Sequence, residues 1–304
     1  MTLFKQYILL SALILFFVGC EEKSESRYNL TYSNKSPISQ EVYIFGVHPL
    51  HNPKRLFEVY QPLVNYINKN VKGYKLRLEA SRNYSAYNKK LFNGYFDFSL
   101  PNPYQTIVSL NHGYKVFGKM ADDENFRGII LVRKDSNISS VDDIKGKSVS
   151  YPAPTALAAT MMPQLFLYEH GVDINRDITN EYVGSQESSI MNVYLKKSIA
   201  AATWPPPWEA FIKLRPQVAK EVEIKWQTKP LVNNGLVVKS NIAKNVVDDV
   251  SKILFTLHEY KEGREILKQM KLTSFESANN STYEPVEEFL KEFEKDVRPI
   301  RKNQ

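Results

Sequence analysis

Hydrophobic residues in this chain follow two alternating rhythms. Short apolar runs stand between longer segments whose apolar positions recur every three or four residues. Residues 42–47, "VYIFGV", read as a strand. In "PKRLFEVYQPLVNYINKNV", Leu56, Val59, Tyr60, Leu63 and Ile67 share one face, which predicts an amphipathic helix with Pro62 as a kink. "YKLRLEA" alternates like a strand, and "SAYNKKLFNG" predicts a helix closing on Gly94. "YFDFSL", "PYQTIVSLNHG" and "YKVFGKM" then predict strand, helix and strand. Strands and helices in strict alternation predict an α/β unit.

A second unit follows. "FRGIILVRK" predicts a long strand, and "ISSVDDIKGKSVSYPAP" a short helix and a strand ending in a stiff turn. A helix is expected from Ala156 to near Gly171, then strands in "ITNEYV" and "SIAAAT" around the helix "SQESSIMNVYLKK". "WPPPWEAFIKLRP" holds another helix, "EVEIKWQT" follows it, and "GLVVKS" is a further strand. From Asn241 onward the pattern is helical. Two α/β units predict two lobes with a cleft between them. Ligands of open α/β sheets sit where strands end and helices begin. The residues to inspect are therefore His48 and those at 101–104, 151–160, 184–186 and 203–208.

The N-terminus has its own logic. Lys5 precedes an apolar run at residues 7–18, too short to span a bilayer comfortably but suited to a signal-peptide core. It ends in "FFVGC", and Cys20 is the only cysteine of the 304 residues. Small residues before a lone cysteine at that place resemble the bacterial lipobox, with Phe17 where Leu is usual. The resemblance implies cleavage before Cys20 and lipid on its thiol. Residues 1–19 are thus expected to be a lipoprotein signal peptide. Residues 20–40, polar and without periodicity, are expected to be a flexible tether. An otherwise cysteine-free domain suits an exported protein that needs no disulfide.

Composition narrows the function classes. Net charge is +7 with no long basic run, which argues against nucleic acid as partner. None of the motifs H-E-x-x-H, G-x-S-x-G or G-x-x-x-x-G-K-[ST] is present, so no catalytic residue is assigned. His48 and His51 have no third ligand nearby in sequence, so neither a metal nor another cofactor is expected.

The stretch "SYPAPTALAATMMP", residues 150–163, is the most telling. Two prolines stiffen a turn that opens a helix, and helix N-termini offer free N–H groups and partial positive charge to anions. Beyond Thr155, however, the turn presents Ala156, Leu157, Ala158 and Ala159. In context, "LVRKDSNISSVDDIKGKSVSYPAPTALAATMMP" resembles the phosphate/phosphite/phosphonate substrate-binding proteins of ABC transporters. So do "FGVHPLHNPKRLFEVYQPLVNYI", "NYSAYNKKLFNGYFDFSLPNPYQ" and "YVGSQESSI". The likeness extends from about Val42 to Ser240. It implies a type II periplasmic-binding-protein-like fold of two lobes joined by hinge strands, closing on ligand like a trap. The implied division is 41–122 and 233–304 for the first lobe and 123–232 for the second. An ABC permease is the implied partner, with the membrane reached through the lipid anchor.

The departures carry equal weight. Counting back from Pro163, the family's Ser-Thr-Ser falls on Ala156, Leu157 and Ala158, and its Gly on Ala159. The histidine of its "G-S-H" falls on Gln186, a tyrosine falls on Phe126, and acidic residues that hold an amine fall near Pro206 and on Asn234. Tyr84 is kept. The expected ligand site is Tyr84, Asn102, Tyr104, Tyr151, Thr155, Ala156, Gln186, Trp204 and Asn234; Trp208, Met161 and Met162 are read as core. Rings and neutral amides suit a neutral or weakly charged, partly flat molecule better than a tetrahedral dianion. The leading expectation is an extracytoplasmic solute-binding lipoprotein. A sensor lipoprotein partnering a membrane kinase, or a surface interaction protein without transport, are the alternatives.

Overall fold

A computed structural model describes residues 40–300. They form two sheets. The first contains β1 (Glu41–Val47), β2 (Tyr74–Glu79), β3 (Phe98–Leu100), β4 (Tyr114–Met120), β10 (Gly235–Lys239) and β11 (Phe275–Ser277). Its order is β11-β4-β10-β3-β1-β2. The second contains β5 (Ile129–Arg133), β6 (Ser148–Tyr151), β7 (Thr179–Tyr182), β8 (Ala200–Thr203) and β9 (Val222–Gln227), in the order β7-β6-β8-β5-β9. The chain passes between sheets twice, through residues 121–128 and 228–234. The residues expected to form a signal peptide, Cys20, and nearly all of the expected tether lie outside the described residues.

Each sheet is built on a parallel core. β1 pairs with β2 and β3 in parallel, and the register Gly46↔Ser99, Val47↔Leu100 brings His48 and Asn102 to the same edge. β6 pairs in parallel with β7 and β8, which ends Tyr151 and Thr203 at a second edge. β8 is fully buried, and its three alanines give neighbouring layers close access. β5 and β10, continuing from the crossings, run antiparallel to their neighbours.

The helices follow from patterning and caps. The helix Pro53–Asn70 (α1) is capped by Asn52 and buries Leu56, Val59, Leu63 and Ile67, and it continues through Pro62. Tyr84–Phe92 (α2) starts on Asn83, and Pro103–Leu110 (α3) starts on a capping box made by Asn102 and Gln105. Met162–Glu169 (α4), Gln186–Tyr194 (α5), Pro205–Leu214 (α6) and Pro216–Glu221 (α7) surround the second sheet. Lys244–Phe255 (α8), Lys261–Met270 (α9) and Glu284–Asp296 (α10) make up most of the tail.

Two local features differ from the sequence pattern. The tail is not wholly helical: it contributes β11, which pairs with β4. The helix expected from Ala156 opens instead as a π-helical turn, Leu157–Met161, with Met161 N–H donating to the Ala156 carbonyl at 3.2 Å. Pro163 explains the widening. It has no N–H for the Ala159 carbonyl, and its ring would press on that carbonyl in a tight α-turn. The turn also lies hard against Gly128 in the first crossing. A Cβ there would sit 2.6 Å from the Ala158 carbonyl oxygen and 2.7 Å from the Pro163 ring. The largest apolar cluster runs without a break from Tyr84, Tyr87 and Tyr104 to Phe126, Tyr151, Ala156 and Trp204, so the two lobes share one core.

Candidate functional site

The carboxyl ends of β1, β3, β6 and β8 converge on one small cavity. The first lobe contributes His48 after β1, Asn102 after β3, Tyr84 at the start of α2, and Asn234 just before β10. The second contributes Ala156, Leu157, Ala158 and Ala159 from the turn, Gln186 at the start of α5, and Trp204 after β8. Phe126, from the first crossing, closes one side and meets Trp204 edge-on at 5.4 Å between ring centres. The cavity measures about 10 Å³, room for roughly one water. Any larger occupant requires the lobes to part.

Hydrogen bonding in this cavity divides by lobe. His48 is fully buried, and its Nδ1 lies 2.9 Å from the Leu100 carbonyl oxygen. Burial pushes its pKa down to about 4, against the opposing pull of that carbonyl, so the ring is neutral at pH 7. A carbonyl cannot donate, so Nδ1 carries the proton and Nε2 the lone pair. Asn234 is completely buried, and its Oδ1 has no partner. Its Nδ2 points at the Met120 sulfur, 3.5 Å away, which fixes the amide's orientation: N–H tolerates a thioether better than a second lone pair does. On the second lobe, Met161 makes the first intrahelical bond of the turn, so the amides of Leu157, Ala158 and Ala159 have no intrahelical partner. Gln186 Oε1 accepts from Thr203 Oγ1 at 2.7 Å. Burial raises the Tyr84 hydroxyl well above its usual range, and contact with Gln186 offsets part of this.

Six of the nine residues expected at the site line the cavity: Tyr84, Asn102, Ala156, Gln186, Trp204 and Asn234. Asn102 also caps α3, and its Nδ2 donates across the cleft to the Thr155 carbonyl at 2.9 Å. Tyr104, Tyr151 and Thr155 do not line it. Their hydroxyls are buried away from it. The Tyr104 and Tyr151 hydroxyls face Arg298, which the sequence pattern did not mark. Arg298 follows α10 and donates to the Pro154 carbonyl at 2.7 Å and to Gln164 Oε1 at 3.0 Å, while stacking on Phe293. Its acceptors are all neutral, and burial lowers its pKa. His48, marked by its place directly after β1 but left out of the expected site, also lines the cavity.

Other contacts also join the lobes. His51 Nδ1 and Glu187 Oε1 are 3.9 Å apart, and Lys271 pairs with Glu209 at 3.5 Å. Asn175 donates to the Val297 carbonyl at 2.7 Å. A larger groove, about 760 Å³, lies over α1, α8 and α9 and is edged by Lys69, Lys72, Lys252 and Lys261. It is far from the strand ends that place functional groups in such sheets.

The sequence profile of the family described as ABC transporter, phosphonate, periplasmic substrate-binding protein matches residues 45–283. The chain belongs to this family. It is 22% identical over 186 residues to the probable ABC transporter phosphite binding protein PhnD1 of Prochlorococcus marinus (strain MIT 9301). That match covers 57% of this chain and 63% of the relative. Among solved structures, a binding protein component of an ABC phosphonate transporter from Pseudomonas aeruginosa superposes with a TM-score of 0.76 at 15% identity, covering 84% of this chain and 88% of that one. PhnD1 in complex with methylphosphonate gives the same TM-score at 18% identity, covering 84% and 99%. The aliphatic sulphonate binding protein SsuA of Escherichia coli gives 0.57 at 15% identity, covering 87% and 91%.

The fold is thus the two-lobed type II architecture of periplasmic binding proteins. The family is one of transporter substrate-binding proteins and not of enzymes. No helix among the described residues is long and apolar enough to cross a membrane. Among the same residues, no cluster of three or more His, Cys, Asp or Glu is placed to hold a metal ion.

Proposed function

We propose that this protein is an extracytoplasmic lipoprotein, anchored through Cys20, that captures a small molecule between its lobes and passes it to an ABC permease. The lobes correspond to residues 41–122 with 233–304 and to 123–232. The reading rests on membership of the family and on a cavity at the strand ends of both lobes. The ligand is not a simple phosphonate. The single observation behind that statement is the wall formed by Ala156, Leu157, Ala158 and Ala159, which supplies no side-chain donor. A hydrogen bond to a charged group contributes about 1.5–3 kcal/mol. Lacking two or three of them weakens phosphonate binding by about 4 kcal/mol or more, on the order of a thousandfold.

Native mass spectrometry of freshly purified protein, with calorimetry against methylphosphonate, phosphite and phosphate, tests this. A co-purifying neutral organic molecule and weak binding of all three anions are expected. Sub-micromolar affinity for any of the three overturns the ligand statement. A second reading, a surface interaction protein with a vestigial cleft, draws on the small cavity. Small-angle scattering that shows no change of lobe spacing with any ligand would favour it.

A further inference from the structure

Two acceptors stand on one wall of the cleft. His48 Nε2 is the ring nitrogen left over once Nδ1 donates to the Leu100 carbonyl at 2.9 Å. Asn234 Oδ1 is fully buried, unpartnered, and held in place by the contact of Nδ2 with Met120. The opposite wall is the reverse. The amides of Leu157, Ala158 and Ala159 precede the first bond of the π-turn and donate to no carbonyl, and their side chains add nothing polar. No Lys, Arg, Asp or Glu lines the cavity. A charged ligand enclosed here would lose its hydration and meet no oppositely charged side chain; a cation would lack any counter-charge, and an anion would have only the backbone amides of the turn.

We propose that the cleft selects a small neutral molecule with an amide-like edge, its N–H donors turned to His48 and Asn234 and its carbonyl acceptor turned to the amides of the second lobe. This rests on the cleft being the ligand site. Lactams, cyclic ureas and pyrimidine-dione-like rings carry such an edge. The flat ring of such a molecule lies between Trp204, Phe126 and Tyr84, whose faces and edges favour π-systems. Selectivity follows from the cost of leaving Asn234 Oδ1 buried and unpaired: a ligand with acceptors only cannot relieve it. Opening and reclosing must accompany binding, because the closed cavity is about 10 Å³.

The test uses the whole processed protein. Uracil, hydantoin and nicotinamide serve as neutral donor–acceptor probes, and methylphosphonate and ethanolamine as charged ones. Calorimetry should show binding of at least one neutral probe and little or none of the charged pair. Asn234→Leu and His48→Phe should each weaken the bound neutral probe by about tenfold or more. Asn234→Asp should shift preference toward the amine. Nitrogen-15 imidazole NMR, which needs no variant, should show the Nδ1–H tautomer of His48 and a shift at Nε2 when the probe binds. Tight methylphosphonate binding with lobe closure would overturn the neutral-ligand assignment and leave the binding-protein reading intact. Failure of every probe, with no co-purifying molecule and unchanged lobe spacing, would overturn both. An Nε2–H tautomer would overturn the donor–acceptor assignment by itself.

Discussion

His48 should make the stability of this protein depend on pH between about 6.5 and 4, a slope that a variant lacking the imidazole separates from that of the carboxylates. The ring is fully buried, and its proton affinity is set by that burial: the pKa falls from 6.5 to about 4. The unfolded chain therefore takes up the proton near 6.5, and the folded chain not until about 4. Between those values the unfolded state holds more protons, so folding stability falls as pH falls. Each pH unit across the gap is worth about 1.4 kcal/mol, which makes the full effect about 3 kcal/mol, present above 6.5 and lost by about 4. For a domain of ordinary stability that is a large fraction. The perturbation is His48→Gln, which keeps a donor for the Leu100 carbonyl and cannot ionise. Urea unfolding of both proteins at closely spaced pH values from about 7.5 to 4.5 reads the difference. Wild type should lose about 2 to 3 kcal/mol more than the variant over that range. Parallel curves would show that His48 is hydrated or charged in the folded protein, and the lone-pair assignment at Nε2 would fall with it.

Gly128→Ala should destabilise the protein by about 1–3 kcal/mol or more, since the added Cβ meets the Ala158 carbonyl oxygen and the Pro163 ring; an unchanged denaturant midpoint would contradict that close approach. Arg298→Met keeps the stem on Phe293 and removes both bonds to the second lobe. Faster hydrogen exchange at residues 153–164 is expected, and unaltered exchange there would show that the C-terminal contact does not restrain the turn. Cys20→Ala should release the protein from the membrane fraction or leave an unprocessed precursor; normal processing with unchanged membrane association would rule out lipidation at that residue.

Much of the architecture was legible along the chain because each strand and helix announces itself by local periodicity. Val42, Tyr43 and Phe45 mark β1 as surely as Leu56, Val59, Leu63 and Ile67 mark α1. The place of the cleft was legible too. In parallel sheets the chain leaves every strand at the same edge, so Asn102, Gln186 and Trp204 had to gather there from distant parts of the sequence. The methyl lining at residues 156–159 could be read directly, since it depends on which residues occupy the turn and not on how they are turned.

Side-chain direction was decided elsewhere. Tyr104 stands two residues after Asn102, yet it faces Arg298 while Asn102 faces the cavity, because α3 begins between them and rotates each successive residue by about a quarter turn or more. Tyr151 and Thr155 bracket the turn in sequence, yet neither lines the cavity. Arg298 lies 144 residues from Pro154 and no local pattern connects them; only the path of α10 across both lobes does so. The close seating of the turn against Gly128 is likewise a contact that only the tertiary path creates. The sequence by itself determined most of the elements, though not β11 or the π-turn, as well as the edge they share and the chemistry the turn lacks, since these follow from periodicity and residue type. The tertiary structure alone decided which nitrogen of His48 is bare, which oxygen of Asn234 is unpaired and how far the cavity closes, because each is a relation between groups that only packing brings within hydrogen-bond reach.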